Sequence, residues 1–515
     1  MHLRSALLVA TALVLAPAFI GGSLEAQDAS PYIPVQDWTM PYVEHLIAAG
    51  VLEDPTPLTR PLRRADVVRA LDAVDTLRLG TAVTATVRRL RAALEDDVRG
   101  ARVRVSGGLG LAAANYARRD PLSAIDSIGP RRSGAGHGTL NADLDLELVA
   151  SHLVVVTHPE VDTRLKYDPD WFGKQDRAIA GRTAEAYISA QWKPVEVFFG
   201  RLDRNWGPAG VQGLLLSDNP YGLDHFAFSV GSAKLRLEAM ATQLDDRRDS
   251  SGVVHRYMSQ HRLVFRPARW SFAIWEGAVL SGPDRSFEPW YLNPLNSGIL
   301  EQWNNGGNVN SFVGFDFERR GAVTPFGQLL LDDIQVDRAN AADKKPPSYA
   351  FTVGAKGGLG GGPTAWQLYY TRVTNLTYRN EDSLQVPLYH FLGTGRNFDD
   401  YDQATLTLGF LPRDGLLLSP EVTYLRQGEG DPRLPHPLVS AYPTTPTIFQ
   451  GVVERTLRVA LTGRYAAGAG GRVDLSFNAG LQRITNFEHQ SGDTHTRFLG
   501  GITVNYRFQH ESGLP

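Results

Sequence analysis

Apolar and polar positions alternate with a period of two along most of this chain. Phe498, Ile502, Val504, Tyr506 and Phe508 fall on one face of the segment Phe498 to Phe508, and Thr503, Asn505 and Arg507 fall on the other. Leu140 to Leu148 repeats the rhythm with Asn141, Asp143, Asp145 and Glu147 between leucines and an alanine, as do Leu457, Val459, Leu461 and Tyr465, and then Val473 to Asn478. Successive side chains of a strand point to opposite faces, so each segment presents one greasy and one wet face. A soluble antiparallel sheet shows the same pattern, so periodicity alone leaves a β-sandwich, β-helix or propeller open. A terminal strand with an outward aromatic row is how an outer-membrane β-barrel closes, and the alternation then separates lipid from lumen.

The N-terminus favours the membrane. His2 and Arg4 precede the apolar run Ala6 to Ile20, and small residues lead to a cleavage point after Ala26, so residues 1–26 read as a secretory signal peptide. No later segment offers about 18 uninterrupted apolar residues, which disfavours a helical membrane span. From Pro31 to Arg99 the period lengthens. Val83, Val87, Leu90, Leu94 and Val98 share a helical face, while Leu46-Ile47 and Val67-Val68-Leu71 mark two shorter helices. Residues 27–100 are therefore expected to form a small periplasmic helical module. Tyr42 to Leu52 followed by Pro57 to Asp66 resembles a degenerate surface-layer-homology repeat, which implies binding to cell-wall components; packing against the periplasmic mouth of a barrel is the other reading.

Composition narrows the class. The 515 residues include 51 glycines and no cysteine, with a formal net charge of −3 and 10% aromatics. Cysteine's absence excludes a disulfide scaffold and thiolate metal sites, and the near-neutral balance gives no electrostatic case for nucleic acid. A mean hydropathy of −0.22 is too polar for a helical membrane protein and ordinary for a barrel with wet loops.

From about residue 101 to 515 the chain reads as all-β. Sixteen strands are legible, from Val103–Leu111 to Phe498–Phe508, and about 22 residues per strand and connection gives roughly 18, an even number being expected for a bacterial single-chain barrel. The predicted fold is a transmembrane antiparallel β-barrel of about 18 strands with a small N-terminal α-helical module. Links such as Ala466 to Gly471 suit periplasmic turns; Arg118 to Gly138, Thr377 to Asp402 and Gly428 to Phe449 are long enough for extracellular loops. Trp192, Trp270, Trp275, Tyr465, Tyr506 and Phe508 are expected in the aromatic girdles. The row Asn141, Asp143, Asp145 and Glu147 is expected as a solvated lumen wall.

One segment is more specific. Gly200, Arg201, Asp203, Arg204, Trp206, Gly207 and Pro208 end a strand in a rigid turn, with Gly213 to Asn219 (GLLLSDN) following. This resembles the Wzi family of capsule assembly proteins, whose members carry a G-R-x-D-R-x-W-G-P-G stretch before an L-x-L-S-x-N run; Ala209 here interrupts the Pro-Gly. Glu288 to Asn296 (EPWYLNPLN) adds a weaker likeness. The resemblance implies an eighteen-stranded outer-membrane barrel with a plugged lumen, monomeric, acting as a lectin that attaches exported capsular or extracellular polysaccharide to the cell surface. Arg201, Asp203 and Arg204 then either contact an acidic polymer or form an ion-paired network that fixes the turn, and Trp206 either stacks on a sugar or anchors the plug.

Sugars are held by hydrogen bonds from Asn, Asp and Arg together with stacking on aromatic rings. That chemistry makes Trp303, Asn304, Asn305 and Asn308, with Trp290 and Tyr291, the candidate polysaccharide contacts, an ordinary polar loop being the alternative. A diffusion porin or substrate-specific channel is the strongest rival function and a barrel-borne hydrolase the third. No spacing assembles a nucleophile with a base, Gly-Xaa-Ser-Xaa-Gly is absent, and His45, His152, His225 and His261 are scattered without metal-ligand spacing. Neither enzyme activity nor a cofactor or metal is expected.

Overall fold

The computed structural model describes residues 29–96, 100–116, 133–163, 165, 168, 170–174, 176–250, 252–305, 309–333, 344–468 and 471–514. The predicted signal segment, Val98 and Asn308 lie outside the described residues, as do the side chains of Trp303 and Asn305.

Among the described residues eighteen antiparallel strands close into a barrel. In chain order they are β1 (Arg102–Tyr116), β2 (Ser133–Ala150), β3 (Leu153–Asp162), β4 (Ala180–Gln191), β5 (Val195–Arg201), β6 (Asp224–Gly231), β7 (Leu235–Gln243), β8 (Gly252–Phe265), β9 (Trp270–Gly282), β10 (Val309–Arg319), β11 (Val323–Asp333), β12 (Ser348–Leu359), β13 (Thr364–Val373), β14 (Tyr401–Arg413), β15 (Leu416–Gln427), β16 (Glu454–Ala467), β17 (Val473–Thr485) and β18 (Thr494–Gly513). β18 closes the cylinder against β1, with Tyr506 opposite Leu109 and Phe508 opposite Gly107. Two of these strands, β3 and β6, are additional to the sixteen read from the sequence. β3 opens on an unbroken apolar run and contains Pro159, which hides its period, whereas β6 does alternate, with Phe226, Phe228 and Val230 outward and His225, Ala227 and Ser229 inward, over only eight residues.

The alternation sorts side chains as expected. Phe498, Ile502, Tyr506 and Phe508 are exposed on the outside while Thr503 is buried within, and Leu140, Leu144 and Leu146 stand outward while Glu147 is buried. An outer wall of exposed leucine, valine and phenylalanine closed around the whole cylinder is what a lipid-facing barrel presents. Among the described residues no helix is long and apolar enough to cross a membrane. Trp275 departs from expectation: it is buried inside the barrel, where its indole Nε1 donates to Asp316 at 2.9 Å, because its odd-numbered position in β9 points inward.

All the short turns lie at one end and the long connections at the other. The helical module occupies the short-turn end. Its helices α1 (Met40–Ala48), α2 (Arg64–Asp72) and α3 (Thr81–Leu94) bury Leu46, Val67, Leu71, Val83, Val87, Leu90 and Leu94 together with Leu411, Leu417 and Ala466 of the barrel. Two inward-facing glycines let α1 enter the mouth: a Cβ on Gly409 would lie 2.6 Å from the His45 ring, and one on Gly358 would lie 2.3 Å from the Ala49 carbonyl. Ion pairs fasten the module to the wall, including Arg64 to Glu147, Arg63 to Glu196, and Arg89 to Asp414 at 2.5 Å. The acidic row of β2 is thus not a solvated wall. Glu147 receives Arg64, and Asp143 faces His158 at 3.4 Å.

Candidate functional site

The lumen is filled from both ends. The connection after β5 turns inward, and Asn205–Trp206 forms a short antiparallel pair with Thr59–Arg60, which reach up from the module. Gly207 N–H donates to the Leu58 carbonyl at 3.1 Å. Inside the loop, Asn205 braces the turn: its Nδ2 donates to Val211 O at 2.9 Å and its Oδ1 accepts from Gly213 N at 2.6 Å. Gly213 is required here, because a Cβ would lie 2.2 Å from the Leu216 carbonyl.

Inward side chains of the wall hold this loop. Gln328 on β11 accepts from Leu214 N at 2.7 Å and donates to Trp206 O at 2.9 Å, and Gln367 on β13 donates to Ala209 O at 2.8 Å. Arg262 on β8 donates to Leu58 O at 2.8 Å and Thr59 Oγ1 at 3.0 Å, pairs with Asp316 at 3.2 Å, and lies 5.4 Å from the Trp206 ring. The side chains of Arg262 and Asp316 have no solvent exposure. From the long-loop end, residues 374–400 fold down as a cover: Tyr378 Oη donates to Leu214 O, Thr394 Oγ1 to Leu215 O, and Asn219 Nδ2 to Gly393 O. Leu58, Leu214, Phe312 and Leu330 are completely buried in the middle. Each such side chain contributes about 1.5–3 kcal/mol by leaving water, so this is a packed core and not an aqueous bore.

The motif residues run from the end of β5 down into that plug. Gly200 has φ +135° and no room for a Cβ, which would lie 2.1 Å from Ala186 O. Arg201 is ion-paired with Asp224 and donates to Thr183 O at 3.3 Å. Arg204 Nε donates to His225 Nε2 at 2.7 Å, with its guanidinium over the Phe198 ring at 4.6 Å. Asp203 lies over Gly222, where a Cβ would approach its Oδ1 to 3.1 Å. Trp206, Gly207 and Pro208 are buried, and the Pro208 carbonyl closes a turn by accepting from Val211 N at 3.2 Å.

The candidate sugar contacts occupy a different place. Trp290 and Tyr291 belong to α4 (Pro289–Leu292), and Trp303, Asn304 and Asn305 to α5 (Gly298–Asn305), both in the connection between β9 and β10. Tyr291 is buried against Ala278, Leu280 and Val309, which point outward from the barrel. This segment therefore rests on the outside of the wall, away from the plug, with Trp290 and Asn304 exposed.

A second aromatic surface, at the long-loop end, is not signalled by any motif. Phe172 and His390 stack at 4.0 Å with a 6° interplanar angle, and the Arg247 guanidinium covers the Phe391 ring at 3.8 Å. Asp245 ties the group together by pairing with Arg247 at 2.6 Å and accepting from His390 N at 2.8 Å, and Arg433 donates to Phe391 O at 2.8 Å. Phe172 and Phe391 are 46% and 60% exposed. In sequence these residues come from four separate connections, and only the run Leu388 to Phe391 (LYHF) within one long loop hints at them.

At the opposite end a cavity of about 1040 Å³ opens between the module and strands β5 to β8. Most charges along it are paired, Arg63 with Glu196 and Arg69 with Asp66 among them. Among the described residues no group of three or more histidine, aspartate or glutamate side chains is arranged to hold a metal ion.

A solved structure of similar form exists in Escherichia coli, described as Wzi, an outer membrane protein involved in group 1 capsule assembly and a carbohydrate binding β-barrel. It superposes with a TM-score of 0.62 over 92% of this chain and 98% of its own, at 14% identity. The fold is that of a Wzi-like outer-membrane barrel. The outer membrane protein opdK from Pseudomonas aeruginosa (TM-score 0.45, 12% identity, 80% of this chain and 100% of that one) and a BenF-like porin from Pseudomonas fluorescens (0.45, 11%, 81% and 100%) are more distant. No family model and no curated protein matches the chain.

Proposed function

We propose that this protein is a non-enzymatic, monomeric outer-membrane lectin that holds exported capsular or extracellular polysaccharide at the cell surface, with the helical module in the periplasm and the long-loop end outside. The filled lumen carries this reading. A diffusion porin needs a wet bore, whereas a surface tether needs a rigid platform under its loops, and Arg262, Gln328 and Gln367 supply that platform by pinning the plug to the wall. Carbohydrate binding by the similarly folded Escherichia coli protein supports it.

The glycan surface is assigned to the rim made by Phe172, Arg247, His390 and Phe391, where the Phe172 and Phe391 rings stand exposed and a partly buried guanidinium braces them. Such a surface stacks on sugar faces and hydrogen-bonds hydroxyl or carboxylate groups. Retention of the purified barrel on immobilised acidic and neutral polysaccharides tests it. Phe391→Ala and Arg247→Ala should weaken retention while heat-modifiable folding is preserved. The α4–α5 residues are tested in parallel with Trp303→Ala and Asn304→Ala, and loss of retention there with an intact rim would move the site to the outer flank. Steady ion conductance by the unmodified protein would favour the channel reading instead.

A further inference from the structure

The outer wall of β7 to β10 is divided into two tiers. Towards the short-turn end its outward residues are exposed and apolar: Leu235, Leu263, Phe265, Trp270, Ile274 and Phe315. Above them the outward face carries a band of polar or small residues, Ser259 and His261 on β8, Glu276 and Ala278 on β9 and Ser311 on β10, before Tyr257, Leu280 and Val309. Counting six residues from Trp270, at about 3.3 Å each and a tilt near 45°, places Glu276 about 14 Å along the barrel axis. That lies inside the roughly 25 Å apolar band such a barrel presents to lipid. A bare carboxylate there would be costly.

It is not bare. Residues 283–305 fold back over this gap. Glu276 accepts from Gly298 N at 3.0 Å and Ser297 Oγ at 3.4 Å, and lies 3.4 Å from His261 Nδ1. Tyr291 seals Ala278, Leu280 and Val309, and Phe287 packs on Tyr257 with ring centroids 4.5 Å apart. Several of the segment's polar groups are paired: Trp290 Nε1 donates to Glu288, which also pairs with Arg285 at 2.7 Å, Asn296 donates to Glu301 at 2.8 Å, and Gln302 donates to Val309 O of β10 at 3.0 Å. Its outer side presents Phe287, Trp290, Leu295 and Leu300, exposed by 42 to 85%. This surface continues the apolar tier below it.

The geometry points to residues 283–305 as a membrane-interface element that restores the interrupted belt and buries Leu295 and Leu300 among the acyl chains of the leaflet at the long-loop end. An irregular helical segment with exposed apolar side chains and several paired polar groups suits the acyl–headgroup boundary. The occupant is lipid because the patch is continuous with the lipid-facing wall and lies at its depth. The inference rests on the membrane barrel and not on glycan binding.

Nitroxide labels at Leu295→Cys and Leu300→Cys, in protein reconstituted into phosphatidylcholine and phosphatidylglycerol vesicles, test it, with Ile274→Cys as the belt reference and Leu438→Cys as the loop reference. The two flank labels should resemble Ile274→Cys, colliding freely with oxygen and losing collisions with a water-soluble nickel chelate. A response like that of Leu438→Cys overturns the inference. Spin–spin broadening at Leu295 or Leu300 assigns the patch to a second copy of the chain, and protection that arises only on adding polysaccharide assigns it to glycan; either result also overturns it. If Ile274→Cys itself meets the chelate, the barrel reading fails, separately from the flank.

Discussion

Gln328 reaches across the barrel to the backbone at Trp206, donating to its carbonyl at 2.9 Å while accepting from Leu214 N at 2.7 Å. One wall side chain thus holds both arms of the inward loop, and Arg262 holds the module's Leu58 beside it. The plug is part of the cylinder's core, with consequences for conductance and for folding.

The unmodified protein should give no steady single-channel current in planar bilayers. Replacing residues 205–219 by a Gly-Ser linker should produce stable openings while the heat-modifiable electrophoretic shift is kept. A closed barrel after this exchange would mean that residues 374–400 and the module seal it by themselves.

Arg262→Met should leave the Asp316 carboxylate without its cation in a fully buried site. Removing one member of a buried pair costs about 3–5 kcal/mol, so the temperature of the electrophoretic shift should drop markedly. Combining Arg262→Met with Asp316→Leu should recover much of the loss, since an apolar pair no longer has a charge to satisfy. Equal stability of the single variant and the parent would show that the pair contributes nothing.

Burial pushes the imidazole of His45 down to about 4, against a single carbonyl contact with Gly362 at 3.3 Å. Above about pH 6.5 the ring is neutral docked or free. As pH falls from there towards 4, the free module binds a proton that the docked one refuses, so docking weakens by up to about 3 kcal/mol. Limited proteolysis within residues 29–96 should therefore accelerate between pH 7 and pH 4.5, and His45→Asn should flatten that part of the pH dependence. An unchanged slope in the variant would place the sensitivity elsewhere.

Gly409→Val and Gly358→Val put side chains where His45 and the Ala49 carbonyl already lie. Both should expel α1 from the short-turn mouth and leave the strands paired, which is readable as faster cleavage of the module with an intact barrel band. A module as resistant as in the parent would show that the mouth relaxes around the added methyl groups.

The two-residue rhythm determined a great deal by itself. In β2, β16 and β18 it assigns every outward leucine, valine and phenylalanine, because strand geometry is local and the membrane rewards one face only. The helical period over residues 83–94 likewise marks the face that α3 buries. Where a connection goes once it leaves a strand is decided by partners far away in the chain. Residues 202–223 turn inward because Gln328, Gln367 and Arg262 wait there with unsatisfied polar groups, while residues 283–305 turn outward because Glu276 and the small side chains above it leave a gap in the wall. No periodicity encodes that choice, so Trp206 and Trp290, both readable in sequence as sugar-stacking aromatics, end respectively in the core and on the outer flank. The rim of Phe172, Arg247, His390 and Phe391 exists only once the cylinder closes and brings separate connections together.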